Sequence, residues 1–141
     1  MADIKNITEL AYFAGFFDGE GCVAIYKKKY VVSLTNTDVR PLKKVQEMWG
    51  GFINVQKKEN RRFAIQDIFR WQVYGHNARP FLEAIRPFVL VKREQIDIYL
   101  SVLDVLPKKA NGKRGHSGNL WNLINVGALK LRELKRNIVY G

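Results

Sequence analysis

Residues 10–21 have the sequence Leu10-Ala11-Tyr12-Phe13-Ala14-Gly15-Phe16-Phe17-Asp18-Gly19-Glu20-Gly21. The small residues Ala11, Gly15 and Gly19 recur every four positions, and a helix places them on one face. Because each Gly in a helix interior costs about 0.5–1 kcal/mol relative to Ala, this stripe predicts the close approach of another backbone. If the helix ends near the tip, Asp18 and Glu20 lie at the negative end of its dipole, where a carboxylate is disfavoured by up to about 1 kcal/mol. A metal cation bound there would remove that penalty.

The composition indicates a folded, strongly basic domain. A chain of 141 residues fits one domain, and a hydrophobic content of 47% predicts a buried core. The 24 Lys and Arg residues outnumber the 13 Asp and Glu residues, which gives a net charge of +11. Such an excess favours a polyanionic partner, and nucleic acid is the first candidate. The alternative is a basic protein that its charge merely keeps in solution.

Cysteine content and hydropathy indicate in which cellular compartment the protein is expected. Cys22 is the only cysteine, which excludes an intramolecular disulfide and a multi-cysteine zinc site and fits a reducing environment. The longest apolar run, residues 10–17, is too short to span a bilayer, and no basic segment of a signal peptide precedes it. We therefore expect a soluble, intracellular protein with no membrane partner, in a bacterial or phage-infected cytoplasm or in an organelle matrix.

Apolar periodicity and turn residues predict five helices and four strands. The helices are expected at residues 8–17, 39–49, 78–86, 93–106 and 119–137, and the strands at 22–26, 30–35, 52–57 and 65–74. Asp38 and Asn77 are expected to cap the second and third helices, and Gly50-Gly51 to end the second. Hairpins that alternate with helices predict an α+β fold, with an antiparallel sheet and helices on one of its faces.

Alternation along the strands predicts a core face and an open face for the sheet. The core face is expected to hold Val23, Ile25, Phe69, Trp71 and Val73, and the open face Ala24, Tyr26, Lys28, Ser33, Thr35, Arg70, Gln72 and Tyr74. Polar and aromatic side chains on a twisted sheet can read base edges in a DNA major groove. The alternative is an ordinary solvated face. Phosphate contacts are expected from the cations of the polar loops, namely Arg61, Arg62, Lys108, Lys109, Lys113 and Arg114.

The segment from Phe13 to Gly21 closely resembles the nine-residue signature of LAGLIDADG homing endonucleases, with Phe at aliphatic positions and Glu20 in place of the final Asp. Residues 34–38, 50–51 and 86–92 also fit the family, so the resemblance covers about residues 8–106. It implies an αββαββα fold with C-terminal helices added, whose saddle-shaped antiparallel sheet lies in the DNA major groove. We expect a core domain at residues 1–106, with a basic loop and a C-terminal helix at 107–141 packed on the same domain.

The resemblance also implies an oligomeric state. Family members with two signature motifs act as monomers, and those with one motif form homodimers through the motif helix. This sequence has one acidic-tipped, small-striped helix, so a homodimer is implied. Its interface would include Ala11, Gly15, Asp18 and Gly19, and it would place two Glu20 side chains beside the twofold axis.

The chemistry that the resemblance implies is hydrolysis of DNA phosphodiesters by a metal-activated water, with Mg²⁺ or another divalent cation as cofactor. By family position, Glu20 is the direct metal ligand, and Gly21 offers its backbone carbonyl. Asn36 stands where a polar side chain positions the nucleophilic water. Lys92 corresponds to a basic residue near the scissile phosphate, where charge stabilisation is useful.

Three of these residues have alternative roles that need no catalysis. Asp18 can act in catalysis, or it can cap and orient the helix tip. Asn36 can be a turn residue before the helix that Asp38 caps. Lys92 can be one more solvated lysine.

The function implied by the resemblance is site-specific cleavage of double-stranded DNA in intron homing. The first alternative is a relative that keeps the fold without cleavage, such as an RNA maturase or a DNA-binding regulator. The second is an interaction protein that uses the small-residue stripe only to dimerise. The acid at position 20 favours the nuclease, because a degenerate tip would no longer need that unfavourable charge.

Overall fold

The computed structural model describes residues 4–26, 29–107 and 118–140, with side chains described at 7–26, 29–107 and 123–135. The expected order of elements is confirmed. In chain order they are α1 (Ile4–Glu20), β1 (Gly21–Tyr26), β2 (Lys29–Asn36), α2 (Arg40–Trp49), β3 (Phe52–Gln56), β4 (Ile68–Tyr74), α3 (Arg79–Ile85), α4 (Arg93–Val105) and α5 (Gly118–Tyr140).

The four strands form one antiparallel sheet in the order β1-β2-β4-β3. Gly21 pairs with Leu34, Leu34 with Trp71, and Trp71 with Ile53, so one row of residues crosses the whole sheet. Residues of β1, β2 and β4 alternate between a more buried and a more exposed face, as the period of two requires. Helices pack on the buried face, and the predicted α+β architecture is confirmed.

An aromatic cluster joins the helices to the sheet. Phe81 of α3 contacts Phe17 of α1, Trp49 of α2 and Trp71 of β4, with ring centroids 5.7, 5.0 and 5.0 Å apart. All three contacts are edge-to-face, which adds to the stabilisation from burying the rings. The indole N–H of Trp71 donates to the Gly50 carbonyl at 2.7 Å. Because Phe17 belongs to α1, this cluster fixes the end of α1 over the sheet.

The two C-terminal helices extend the core. The buried hydroxyl of Tyr99 in α4 lies 3.0 Å from the Tyr30 carbonyl and 3.1 Å from the Gly75 carbonyl, and burial raises the pKa of that hydroxyl. In α5, the Lys135 ammonium donates to the Val23 carbonyl of β1 at 2.6 Å. Since β1 is an edge strand, α5 covers backbone groups that would otherwise be open to pairing with another chain.

Two helices differ from the prediction at their ends. α1 begins at Ile4 and continues through Glu20, three residues beyond the expected end at residue 17. Gly19 disfavours a helix there, and contacts at the tip, described below, outweigh its propensity. α5 runs from Gly118 to Tyr140, longer than the expected 119–137. None of the helices in the described ranges is long and apolar enough to cross a membrane.

The predicted side-chain caps of α2 and α3 are wrong. Val39 is the N-cap residue of α2, and Asp38 accepts the Arg40 N–H at 2.9 Å from one position earlier. Asn77 lies inside a short 3-10 turn, and α3 begins only at Arg79. Because the carbonyl of His76 in that turn accepts the Arg79 N–H, the backbone itself does what a capping side chain would do.

The fourth strand starts later than predicted. It begins at Ile68 instead of residue 65, and residues 57–67 form a loop. Phe63 has a φ of 64°, which takes the chain out of the extended conformation. The Arg61 guanidinium donates to the Gln66 carbonyl across this loop. That bond holds the chain in a turn where the apolar pattern alone favours a strand.

Candidate active site and nucleic-acid interface

The candidate site lies where α1 ends and β1 begins. Glu20 is the last residue of α1, and Gly21 is the first residue of β1. A Cβ atom at position 21 would overlap the ring of Phe17, so only glycine fits this reversal. The helix therefore passes directly into the strand, and its acidic tip stands at one end of the sheet.

Asp18 is bound from within its own chain. Its carboxylate accepts the backbone N–H groups of Leu90 at 2.9 Å, Val91 at 3.1 Å and Lys92 at 3.1 Å. These are charge-assisted hydrogen bonds, which are stronger than neutral ones. The structure thus places Asp18 as the residue that ties the tip of α1 to the segment before α4. This is the capping and orienting role that the sequence left as one of two alternatives.

Lys92 connects the same two segments in the reverse direction, from its side chain to the backbone of α1. Its ammonium donates to the backbone carbonyls of Phe17 at 3.1 Å and Asp18 at 2.8 Å, two of the carbonyls left open at the end of α1. Burial lowers the pKa of Lys92, and the nearby charges of Asp18 and Glu20 act against that shift. We call the reciprocal bonds between Asp18 and residues 90–92 the Asp18–Lys92 clamp.

The clamp corrects one inference from the sequence. A metal cation was expected to offset the unfavourable position of the acids at the helix end. For Asp18, the Lys92 ammonium and three backbone N–H groups do this without a metal. A cation at the negative end of a helix dipole is favourable, so Lys92 stabilises the tip itself as well. Lys92 is also half-buried, and so it is not simply one more solvated lysine.

Glu20 differs from Asp18 in being exposed. It is near enough to Lys92 for its charge to raise the pKa of that ammonium. Within the described part of the chain, no group of three or more His, Cys, Asp and Glu side chains is arranged to hold a metal ion. Of the two acids at this tip, Glu20 is the one whose carboxylate is exposed, whereas that of Asp18 accepts backbone N–H groups.

The small-residue stripe of α1 faces outward. Ala11, Gly15 and Gly19 are all exposed, and a Cβ added at either glycine would meet no described atom within 4 Å. The clamp places Leu90 at the end of this helix, with 77% of its surface exposed. The predicted interface residues Ala11, Gly15 and Gly19 are thus available to a partner, whereas the carboxylate of Asp18 is turned towards its own chain.

Asn36 acts as a turn residue before α2, which is the non-catalytic role that the sequence left open. It ends β2, two residues past Leu34, and its side-chain oxygen accepts the Asp38 N–H at 2.9 Å. The Arg40 guanidinium donates to both oxygens of the Asp38 carboxylate, and these bonds lower the pKa of that carboxyl to about 2. Beside this turn, Asn36 lines an open groove with Tyr12 of α1. Its predicted part in positioning water stays a prediction.

The open face of the sheet carries the side chains expected there. Opposite each other across β2 and β4 lie Thr35 and Arg70, and Ser33 and Gln72. The exposed or partly exposed members are Ala24, Tyr26, Ser33, Thr35, Arg70, Gln72 and Tyr74. This face holds aromatic, amide, hydroxyl and guanidinium groups, which offer both donors and acceptors.

Strand β3 adds residues to this face that the sequence analysis missed. Phe52 and Asn54 are exposed there, opposite Gln72 and Arg70. The Asn54 amide donates to the Gln72 side-chain oxygen at 2.9 Å, and the Tyr74 hydroxyl lies 3.2 Å from the same oxygen. Asn54 and Gln56 are polar and lie two positions apart, so a strand places them on one face. This pattern could have revealed the contribution of β3.

The predicted phosphate contacts are only partly within the described residues. Arg62 is exposed, whereas Arg61 is half-buried with its guanidinium on the Gln66 carbonyl. The other expected phosphate contacts lie outside the residues whose side chains are described, namely Lys108, Lys109, Lys113 and Arg114. Lys28, expected on the open face of the sheet, also lies outside them.

Comparison with known proteins gives one family and a set of similar structures. Residues 8–86 match the family model of the LAGLIDADG-like domain. The solved structure of the homing endonuclease I-CvuI in complex with its target in the presence of calcium matches with a TM-score of 0.74 and 20% identity, covering 94% of this chain and 85% of that chain. Among curated protein sequences, none matches this chain.

A second solved structure agrees with the first. The archaeal intron-encoded homing endonuclease I-Vdi141I, complexed with DNA, matches with a TM-score of 0.69 and 19% identity, covering 92% of this chain and 85% of that chain. At such identities the likeness establishes a shared fold. The αββαββα fold expected from the sequence is confirmed.

The clamp predicts that Asp18 matters for stability. Asp18→Ala leaves three backbone N–H groups without their acceptor and is expected to lower the free energy of unfolding by about 2 kcal/mol. Asp18→Asn keeps one acceptor oxygen and should fall between Ala and wild type. Urea unfolding followed by circular dichroism measures both. The control is Asp97→Ala, which removes an exposed carboxylate paired with Arg86 and should cost far less. Equal losses at both sites would contradict the clamp.

Proposed function

Because the chain belongs to the LAGLIDADG-like domain family, with residues 8–86 matched, we propose that it is a homodimeric endonuclease that cleaves double-stranded DNA at a long specific site with a divalent metal. The observation that carries this proposal is Glu20, an exposed carboxylate on a helix tip that the Asp18–Lys92 clamp holds in place. Among the described residues, no hydrogen bond or salt bridge uses the Glu20 carboxylate. A preorganised carboxylate is what metal-assisted hydrolysis needs.

The donor atoms at the tip fit Mg²⁺ or a similar hard cation. Such ions prefer oxygen ligands and are commonly held by one or two carboxylates, with water and phosphate completing the shell. Glu20 would supply the carboxylate, and Gly21 its backbone carbonyl. When bound, the cation offsets charge on the attacking and leaving oxygens of the phosphodiester. A second copy would add its own Glu20, which agrees with the single carboxylate that each chain offers.

Lys92 and Asn36 are proposed to act beside Glu20. The Lys92 ammonium carries three protons, and two of them are directed at the carbonyls of Phe17 and Asp18. The third can donate to an oxygen of the scissile phosphate. Asn36 uses its side-chain oxygen within the turn, so its amide nitrogen keeps donor protons that can orient the attacking water.

The open face of the sheet is proposed to read the DNA major groove. Its base-reading candidates are Ala24, Tyr26, Ser33, Thr35, Arg70 and Gln72, to which β3 adds Asn54. Amide and guanidinium groups match the acceptor and donor patterns of adenine and guanine. The net charge of +11 supports a polyanionic partner. Phosphate contacts are assigned to Arg61, Arg62, Lys108, Lys109, Lys113 and Arg114, and Lys28 stays a candidate of the open face.

Homodimerisation through α1 is proposed from the exposure of its stripe. Gly15 and Gly19 allow a second helix to approach, and the exposed Tyr12, Leu90 and Val91 would add apolar contact around them. An isologous interface of this kind brings the two Glu20 tips together near the twofold axis. Two strands of DNA could then be cut at one place.

Glu20→Gln is expected to abolish cleavage while binding persists, because the variant keeps the shape of the side chain and loses the charge that holds a metal. The probe is a duplex that the wild-type protein selects from a random library, and cleavage with Mg²⁺ is compared at matched occupancy. Glu47→Gln makes the same change at an exposed site on α2 and should cut normally. Full cutting by Glu20→Gln would contradict the assignment. A wild-type protein that binds the duplex but never nicks it would favour the regulator or maturase alternative.

Gly15→Leu is expected to weaken the dimer without harming the monomer. Leu is favoured over Gly in a helix by roughly 0.5–1 kcal/mol, and nothing described lies within 4 Å of the new Cβ. Sedimentation velocity should show dissociation at concentrations at which the wild type is dimeric, and circular dichroism should show that the variant keeps its helices and strands. Gly127→Ala is the inverse control, because its Cβ would lie 2.7 Å from Val102 inside the fold. A Gly15→Leu protein that dimerises like the wild type would exclude the stripe as the interface.

A further inference from the structure

The loop at residues 57–67, between β3 and β4, holds two large apolar side chains out in solvent. Phe63 is 89% exposed and Ile65 is 86% exposed, more than any other large hydrophobic side chain in the described part of the chain. Contiguous apolar surface left in water marks a site of contact with a partner. The proposed reaction at Glu20 uses neither residue.

Bonds at the base and near the tip hold this loop in shape. The Asp67 carboxylate accepts the Lys58 N–H at 2.8 Å and pairs with the Lys57 ammonium at 3.8 Å. Closer to the tip, the Arg61 guanidinium donates to the Gln66 carbonyl. The loop is therefore braced from both sides, and its apolar side chains have a defined direction.

The conformation at the tip is one that Phe rarely adopts. Phe63 has a φ of 64°, in the left-handed region that favours glycine or asparagine. The Arg62 guanidinium stands 5.1 Å from the centre of the Phe63 ring, so a cation and an aromatic ring are displayed together. A bulky ring kept in this conformation, and fully in water, is costly unless something binds it.

The loop projects from the end of the sheet that carries the tip of α1. β3 ends at Gln56 opposite Ile68, β2 ends at Asn36 opposite Phe69, and β1 begins nearby at Gly21. Three strand spacings of about 4.8 Å put the end of β3 roughly 14 Å across the sheet from β1. A duplex that lies on the open face and reaches Glu20 would therefore pass beside this loop.

The charges of the loop indicate which kind of partner would cover Phe63 and Ile65. Residues 57–67 contain four cations and two acids, and one of those acids, Asp67, is engaged at the base of the loop. A duplex offers an apolar base stack bordered by phosphates, so an apolar tip with cations beside it is complementary to DNA. An apolar protein partner would have no need for the flanking Lys58 and Arg62.

We propose that Phe63, together with Ile65, is a wedge that enters the base stack of the bound target and bends the duplex, while Arg62 and Lys58 hold the flanking phosphates. This inference rests on the proposed function, because a wedge needs a bound duplex. Wedges of this kind partly unstack a base step and kink the DNA. Pyrimidine–purine steps unstack most readily, so the loop would favour such a step without contacting base edges.

The test uses the full chain and a duplex that the wild type selects from a random library. 2-Aminopurine replaces each adenine in turn, and its fluorescence rises when the base unstacks. Phe63→Gly removes the ring and suits the left-handed backbone, so thermal unfolding should be unchanged or higher. We expect the fluorescence rise at one step to disappear and the affinity to fall about tenfold. The slope of affinity against salt should stay the same, because no phosphate contact is lost.

Three further variants locate the effect. Phe63→Leu keeps an apolar wedge and should retain most of the affinity and the fluorescence rise. Arg62→Gln should reduce the salt slope by about one, as expected for one lost phosphate contact. Leu129→Ser removes an exposed apolar side chain from α5 and should change neither readout.

The outcomes separate the wedge from the proposed function. If Phe63→Gly binds the selected duplex with wild-type affinity and the same fluorescence rise, the wedge is overturned and DNA binding stands. If Phe63→Gly alters only self-association in sedimentation, the loop contacts a second copy and the wedge is again overturned. If the wild type selects no duplex at all, the proposed function fails, and the wedge fails with it.

Discussion

The Asp18–Lys92 clamp is the interaction on which the arrangement of this protein depends. An α-helix ends with unpaired carbonyls and a negative dipole, and here a carboxylate stands at that end as well. The Lys92 ammonium takes the carbonyls, and the backbone before α4 takes the carboxylate. The two sets of hydrogen bonds satisfy the polar groups at the end of α1, so the helix continues to its last residue. Glu20 is that last residue, and its position is fixed by bonds that it does not itself make.

The same clamp explains why the stripe of α1 faces outward. Phe17 directs one side of the helix into the aromatic cluster, and Asp18 fastens its end to the segment before α4. Because Phe17 and Asp18 bind the rest of the chain on two sides of the helix, Ala11, Gly15 and Gly19 lie on its exposed side. The glycines cost helix stability within one chain, and that cost is understandable if a second chain packs against them.

The sequence predicted what depends on local periodicity and missed what depends on distant residues. The order of elements and the two faces of the sheet follow from patterns two or four residues long. The clamp joins positions more than seventy residues apart, so the sequence could give Asp18 only as one of two alternatives. The caps at Asp38 and Asn77 were wrong for different reasons: Asp38 lies one position before the N-cap Val39, and at α3 the His76 carbonyl of the preceding turn accepts the N–H group. Residues 65–67 were predicted as the start of β4, but they belong to the loop, and Ile65 stands in solvent.

In the proposed homodimer, two α1 stripes meet across a twofold axis. The most direct measurement of this contact is disulfide cross-linking in a Cys22→Ser background, with single cysteines at Ala11 and Gly19 on the stripe and at the exposed Ser101 of α4 as reference. Cross-linking needs Cα atoms within about 7 Å, which only residues beside the axis can satisfy. The account predicts rapid, nearly complete covalent dimers from a stripe cysteine and none from position 101. No cross-link at either stripe position, or equal rates at all three, would contradict it.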